Sequence, residues 1–290
     1  MHSTDVSSIA RGPSSRFRAE SLLEAAARRW PRSGVFGRMR KLLKPAFETL
    51  VTWCAGAALE SRFPGGEIVR VSSRWRHLSW NPEEYAAFRE ATQPGDVVID
   101  AGANGGSYAL LFGQWVGPSG RVYAFEPDPR AFAALVGHVA LNGLGDRVLP
   151  IRAAVGETTG LARLHLASAS GLSRVDAGGA VAGESVDVIS IDDFCARQKI
   201  TPRIIKIDVE GSELQVLRGA RRTIAAAGPR IAVFAEMHPS VWSHTGISAS
   251  DIIRECGVSA LAPERLDGSR EQLWQIEGMC LRLRSTCACP

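Results

Sequence analysis

Cysteine is scarce and unpatterned in this chain. Six cysteines stand at positions 54, 195, 256, 280, 287 and 289 of 290 residues, with neither the paired spacing of a zinc site nor the density of a disulfide-held scaffold. They read as free thiols. Cys287-Ala-Cys289 comes nearest to a soft-metal motif, but its place at the very C-terminus makes a frayed tail the simpler reading. Long apolar runs are missing too. Ala46–Leu59 is the most continuous one near the N-terminus, yet it holds Glu48, Thr49 and Thr52 and falls short of the ~20 residues of a membrane span. No basic, then apolar, then small-residue leader opens the sequence, so no secretory signal is expected and a cytoplasmic location is. What is present is an ordinary globular composition, 45% hydrophobic and 22% charged, which excludes a disordered or fibrous chain.

Charge is uneven along the chain. Residues 1–80 carry 14 Lys and Arg against 6 Asp and Glu, and the remainder 20 against 24. The basic residues at the front are interleaved with Leu, Phe, Trp and Met at helical spacing. This favours a solvated helix face over a patch for nucleic acid or anionic lipid, and no nucleic-acid partner is expected.

The first fifteen residues are Ser-rich and read as a disordered tail. Residues 16–80 read as an N-terminal extension: helices over Arg16–Trp30 and Val35–Leu59, then a strand or hairpin arm over Ile68–Leu78. Asn81-Pro82-Glu83-Glu84 is a helix start and opens the main domain, residues 81–290. Beyond Pro94-Gly95-Asp96 short β-rich runs alternate with helical ones, the texture of an α/β, doubly wound sheet with parallel crossovers. The strand candidates are Val97–Asp100, Arg121–Glu126, Val148–Ala154, Ile204–Asp208 and Ile231–Glu236. Two more, Leu161–Leu166 and Val186–Ile191, flank a Gly-rich loop at Gly178–Glu184. Phe132, Leu135, Val136 and Val139 give the segment Ala131–Leu141 a helical stripe.

Asp100-Ala101-Gly102-Ala103-Asn104-Gly105-Gly106 is a strand end running into a small-residue turn and then the helical Tyr108–Trp115. Glycines at such a strand end admit a ligand close to the backbone, although many α/β proteins use them only to pack a helix. The turn is not a dinucleotide fingerprint. Asn104 occupies the place of the second glycine, and Asp100 would repel a diphosphate, so a cationic or zwitterionic ligand fits better. Glu126 ends the next strand twenty positions after Gly106, followed by Pro127. It can accept both hydroxyls of a ribose, or it can be an acid favoured by the dipole of the following helix.

Central parallel strands are covered on both faces, so polar residues inside them need a reason. Lys206 and Asp208 share one face of their strand, and Glu210 continues it if the chain stays extended. A buried ion pair is the plain account, but it rarely adds stability, which points to function. Phe234, Glu236 and His238 share a side by the same period and bring an acid and a candidate base to the same rim. Glu213 lies in a first helical turn, where an acid is stabilising for ordinary reasons.

In order, Gly95–Gly106, Phe125-Glu126-Pro127, Ala154-Val155-Gly156, Ile191-Asp192-Asp193, Ile205–Gly211 and the Glu236 strand end resemble the FkbM-family methyltransferases, over roughly Pro94–Pro239. The resemblance implies a Rossmann-like, mostly parallel seven-stranded sheet of the class I methyltransferase type. It implies S-adenosylmethionine as cofactor and methyl transfer, commonly to an oxygen of a sugar, polyketide or other small metabolite. Asp100, Gly102, Ala103, Asn104 and Gly106 would surround its methionine part, with Glu126 and Pro127 at the ribose. Asp208 would orient the acceptor, His238 would take its proton and Lys206 would tune the carboxylate, with Glu210 and Glu236 against the substrate. A variant has Asp208, Glu236 and His238 binding a divalent ion. Two other readings compete: a nicotinamide-dependent oxidoreductase, disfavoured by Asn104 and Asp100, and a non-catalytic binding module, disfavoured by the polar strand ends.

Overall fold

A computed structural model describes residues 58–75, 80–165, 174–176, 184–271, 273–274 and 276–286. The chain divides into two compact units, Met1–Leu78 and Ser79–Pro290. The expected disordered tail and N-terminal helices lie outside the described residues, apart from the end of the second helix. There Leu59 is in a strand instead: β1 (Leu59–Arg62) pairs antiparallel with β2 (Ile68–Val71), Leu59 facing Val71 and Arg62 facing Ile68. Most of the Gly178–Glu184 loop also lies outside the described residues.

The second unit begins with α1 (Pro82–Ala91), capped by the Asn81 side chain, which accepts from the Glu83 and Glu84 amides, with Pro82 in the first turn. Then follow β3 (Val97–Ala101), α2 (Ser107–Trp115), β4 (Arg121–Phe125), α3 (Pro129–Leu141) and β5 (Val148–Ile151). From there the chain enters a separate four-stranded sheet, β6 (Ala154–Val155), β7 (Gly160–His165), β8 (Arg174–Asp176) and β9 (Glu184–Ile189), in the order β6-β9-β7-β8. It returns through α4 (Ile191–Gln198) to β10 (Ile204–Ile207), α5 (Glu213–Arg218), α6 (Arg221–Ala227) and β11 (Ala232–Met237). It ends with α7 (Pro239–Thr245), α8 (Ala249–Val258), β12 (Leu261–Arg265) and β13 (Met279–Ser285).

The main sheet has seven strands in the order β12-β13-β11-β10-β3-β4-β5. β11, β10, β3, β4 and β5 run parallel, and β13 and β12 add an antiparallel edge. One face carries Ile99, Ile205, Val233 and Leu283 into a core with Leu214, Leu217, Ile224 and Ile252 of α5, α6 and α8. The pleat turns Asp100, Lys206, Phe234 and Arg282, which are neighbours in register across four strands, to the other face. There Phe88 of α1 packs on Phe234, and Tyr108 of α2 lies beneath the Lys206 ammonium, 5.6 Å from ring centroid to nitrogen. Helices on both faces make the sheet doubly wound.

The chain leaves β3 to build β4 and β5 on one side, then crosses back to place β10 on the other. β3 and β10 therefore flank the topological switch point, where loops diverge and leave a crevice beyond the carboxyl ends of the strands. Among the described residues, no helix is long and apolar enough to cross a membrane.

Candidate active site

A cleft opens at this switch point, lined by Gly102 and Asn104 after β3, Glu126–Asp128 after β4, Ala153–Val155 after β5 and Asp208–Glu210 with Ser212 after β10. Every wall is the continuation of a parallel strand, as the topology requires.

Gly102 sits here for a different reason than ligand access. Its φ is +83°, and a Cβ on it would stand 1.8 Å from the Asp208 carbonyl oxygen. Only glycine lets the two switch-point loops meet backbone to backbone. Gly106, with φ of +96°, caps α2 and packs under Leu135, and Ala103 is buried with its amide on the Phe125 carbonyl. Of the expected cofactor residues, then, Gly102, Asn104, Glu126 and Pro127 line the cleft, while Asp100, Ala103 and Gly106 do not.

Glu126 is held from two sides. The Asn104 amide donates to Oε2 and the Asp128 amide to Oε1, each at 2.8 Å. The helix-capping duty that Glu126 might have had falls to Asp128, whose carboxylate accepts from the Arg130 and Ala131 amides. An Asp before Pro129 was the available signal for that cap. Burial pushes the Glu126 carboxyl up to about 7 against the pull of its two backbone donors.

Asp100 is fully buried. Lys206 Nζ lies 3.3 Å from its Oδ1 and 3.3 Å from Asp208 Oδ2, yet neither Asp100 oxygen has a well-directed hydrogen bond. Burial raises Asp100 above the usual carboxylate range in spite of the ammonium. Burial opposes the charge on Lys206 as well, but Asp100, Asp208, Glu236 and Glu84 together hold it protonated. This row is the ion pair that the strand pattern allowed. It fixes Asp208, the member that reaches the cleft.

Glu210 does not continue the strand face: its φ of +50° turns the chain left-handed, and its carboxylate comes within 3.6 Å of His238 Nε2. Glu236 Oε1 lies 3.7 Å from the same nitrogen. Asp208, Glu236 and His238 each offer a ligand atom within 4.8 Å of the others. The expectation that strand ends would gather these three is met by the geometry.

Glu213 has a larger part than its place in a first helical turn suggested. It is fully buried and accepts from the Gly211 amide, His238 Nδ1 and Trp242 Nε1, all at 2.8 Å. A first-turn acid gives no sequence sign of such a role. Although burial works against a charged imidazole, the hydrogen bond and charge of Glu213 push His238 up to about 9. Burial, then Asp208 and Glu84, push Glu236 up to about 8.

A family model described as the Methyltransferase FkbM domain matches residues 100–258, from the end of β3 to the end of α8. The chain belongs to the FkbM methyltransferase family. The FkbM-family chain is 25% identical over 202 residues to "Hexuronic acid methyltransferase AglP" of Haloferax volcanii, covering 69% of this chain and 77% of that one. It is 32% identical over 179 residues to "31-O-demethyl-FK506 methyltransferase FkbM" of Streptomyces tacrolimicus, covering 50% and 66%. It is 27% identical over 150 residues to "2-O-methyltransferase NoeI" of Sinorhizobium fredii, covering 46% and 60%.

The chain is thus a methyltransferase that uses S-adenosylmethionine, and the cleft of this FkbM-family enzyme fits that cofactor. Glu126 is a carboxylate oriented by two backbone amides at the end of the second parallel strand, a group of the kind that can accept ribose hydroxyls. Ala153, Ala154 and Val155 form an apolar wall for a flat base, and the acidic groups around Asp208 suit a sulfonium cation.

Proposed function

We propose that this enzyme methylates a hydroxyl of a sugar or another polyhydroxylated small metabolite. The supporting observation is that one cleft has two unlike ends. Glu126 and the apolar Ala153–Val155 wall suit a nucleoside, while Asp208 and Glu210, beside Glu236 and His238, crowd hydrogen-bond acceptors where a hydroxyl-rich acceptor would lie. The names of the three relatives, a hexuronic acid, a 31-O-demethyl and a 2-O-methyl transferase, agree in pointing to oxygen. The acidic rim repels phosphate, which speaks against a nucleic-acid substrate and a diphosphate cofactor.

When bound, S-adenosylmethionine supplies an electrophilic methyl group. Glu126 accepts the ribose hydroxyls, kept in place by the Asn104 and Asp128 amides. Asp208 accepts a hydrogen bond from the acceptor hydroxyl and aims its oxygen, and Lys206 holds Asp208 through Oδ2. The hydroxyl proton passes to a carboxylate of the rim as the new bond forms, and not to His238 as the strand pattern suggested, because an imidazole pushed up to about 9 already carries its proton at neutral pH. Positioning supplies most of the rate.

Calorimetric titration with S-adenosylmethionine, S-adenosylhomocysteine and NAD, together with methyl-label transfer to hydroxyl-bearing acceptors, tests this reading. Binding of the two sulfur nucleosides and not of NAD is expected. Asp208→Asn should lose at least a hundredfold in turnover and keep cofactor affinity within a fewfold. Full turnover in that variant removes Asp208 from the mechanism.

A further inference from the structure

We propose that Asp208, Glu236 and His238 form a divalent-cation site beside the cofactor cleft, which takes the acceptor oxygen as a further ligand. Donors on a triangle of 4.8 Å sides stand about 2.8 Å from its centre (4.8/√3), so shifts of roughly half an ångström bring all three to metal bonds of ~2.0–2.3 Å.

The orientation of His238 is the independent sign. Its side chain is 6% exposed, and Nε2 makes no hydrogen bond to a described residue: the Glu210 and Glu236 carboxylate oxygens stand off at 3.6 and 3.7 Å. Its other nitrogen, Nδ1, is tied to Glu213 at 2.8 Å. Glu213 is itself locked by the Gly211 amide and the Trp242 indole. A buried carboxylate that holds one imidazole nitrogen and turns the other toward two acids is the outer-shell arrangement that orients a metal-ligating histidine. Glu213 is accordingly a positioning residue.

Charge agrees. Glu84, Asp100, Asp208, Glu210, Glu213 and Glu236 converge here, and the cationic groups set among them are Lys206 and, when protonated, His238. Lys206 hydrogen-bonds Oδ2 of Asp208 and leaves Oδ1 for another cation. One imidazole and two carboxylates suit Mn²⁺, Fe²⁺ or Zn²⁺ better than a soft ion. Such an ion lowers the pKa of a hydroxyl placed against it. Glu210, which lines the cleft outside the ligand set, stands ready to take that proton. The role in catalysis rests on the methyl-transfer reading; the site itself does not.

The test uses MnCl₂ alone on the full chain after chelator treatment, followed by electron paramagnetic resonance. About one Mn²⁺ per chain is expected, with nitrogen hyperfine coupling from an imidazole. His238→Ala should abolish that coupling and weaken binding at least tenfold, and Glu236→Gln should weaken binding similarly. Glu213→Gln should weaken it about tenfold and alter the coupling, with Glu213→Asp restoring part of both. Circular dichroism checks that each variant is folded. If His238→Ala does not fold, Glu236→Gln and the wild-type nitrogen coupling decide. No stoichiometric binding, or binding without nitrogen coupling, overturns the site. S-adenosylmethionine titrated into the same chelated sample separates the two proposals: cofactor binding without Mn²⁺ binding removes only the cation site. Mn²⁺ binding without cofactor binding removes only the methyl-transfer reading.

Discussion

Replacing Lys206 with Met keeps the length of the side chain and its packing over Tyr108 while deleting the one charge that faces Asp100 across the β3–β10 ladder. At 3.3 Å the attraction is about 5 kcal/mol for an effective dielectric constant near 20. The cost of burying the ammonium offsets much of this, so the pair contributes little net stability. Removing one partner is another matter. Asp100 is fully buried with no directed hydrogen bond of its own, and stranding it costs about 3–5 kcal/mol. Asp208, 29% exposed, has water to turn to and adds less. Asp100→Asn alone should cost only ~1–2 kcal/mol, because Lys206 keeps Asp208. The double variant Lys206→Met/Asp100→Asn should therefore be more stable than Lys206→Met, with a coupling of about 2–3 kcal/mol between the sites. Urea denaturation of the four proteins, followed by tryptophan fluorescence and circular dichroism, measures each corner of the cycle. A double variant no more stable than Lys206→Met would falsify the claim that this row is a charge-balanced unit.

The remaining predictions concern the cleft. Glu126→Gln replaces one acceptor with an amino group facing a backbone donor, and should weaken S-adenosylmethionine about 10–100-fold by calorimetry. If the ionised Glu126 carboxylate accepts the ribose as proposed, wild-type affinity should rise as pH passes from 6 to 8, since burial pushes that carboxyl up to about 7; the Gln variant should be flat over that range. The sign for stability is opposite. A carboxyl whose folded value lies above its ordinary 4.5 stabilises the fold below that value and loses this contribution as pH climbs to about 7. Gly102→Ala drives a methyl into the Asp208 carbonyl at a positive φ and should cost about 3 kcal/mol or more together with cofactor binding; an unchanged melting temperature refutes the backbone contact.

The parallel core was legible because β3, β4, β10 and β11 are short apolar runs ending in an acid or polar turn, a pattern that strands buried on both faces produce and few amphipathic helices do. The antiparallel edge was not. β13 alternates Leu281 and Leu283 inward with Arg282 and Arg284 on the other side, and β12 contains Pro263, tolerable only because the strand is an edge. Neither matched a motif. The second sheet went unseen because period two marks a strand without naming its partner. At the site, Asp208, Glu236 and His238 were found by alternation from strands whose register the fold preserved. Glu210 was placed on the right rim for the wrong reason, since a left-handed residue, invisible to periodicity, brings it there. Asp100 looked like a ligand because it leads the glycine turn, but its pairing depends on β10, which lies about a hundred residues away in sequence and beside it in the sheet. Long-range register decides which polar group faces the cleft and which is spent beneath it.

The cleft is built before any ligand arrives. The Asn104 amide reaches Glu126 across two loops, the Asp128 amide closes the same carboxylate from the other side, and Gly102 meets the Asp208 backbone directly. These contacts join the ends of β3, β4 and β10 with protein groups alone, so little ordering remains to be done when the nucleoside binds. The acidic rim is the costly part of the arrangement. Burial raises Glu126, Glu236, Asp100 and Glu84 above their ordinary range, and a protein selected for stability alone would replace such groups with apolar ones. Of these Glu126 lines the cleft, beside Asp208 and Glu210, while Asp100 and Glu84 lie beneath it, so acidic groups face the place where a sulfonium is favoured and a phosphate is not. The choice of cofactor class thus follows from where the buried carboxylates stand.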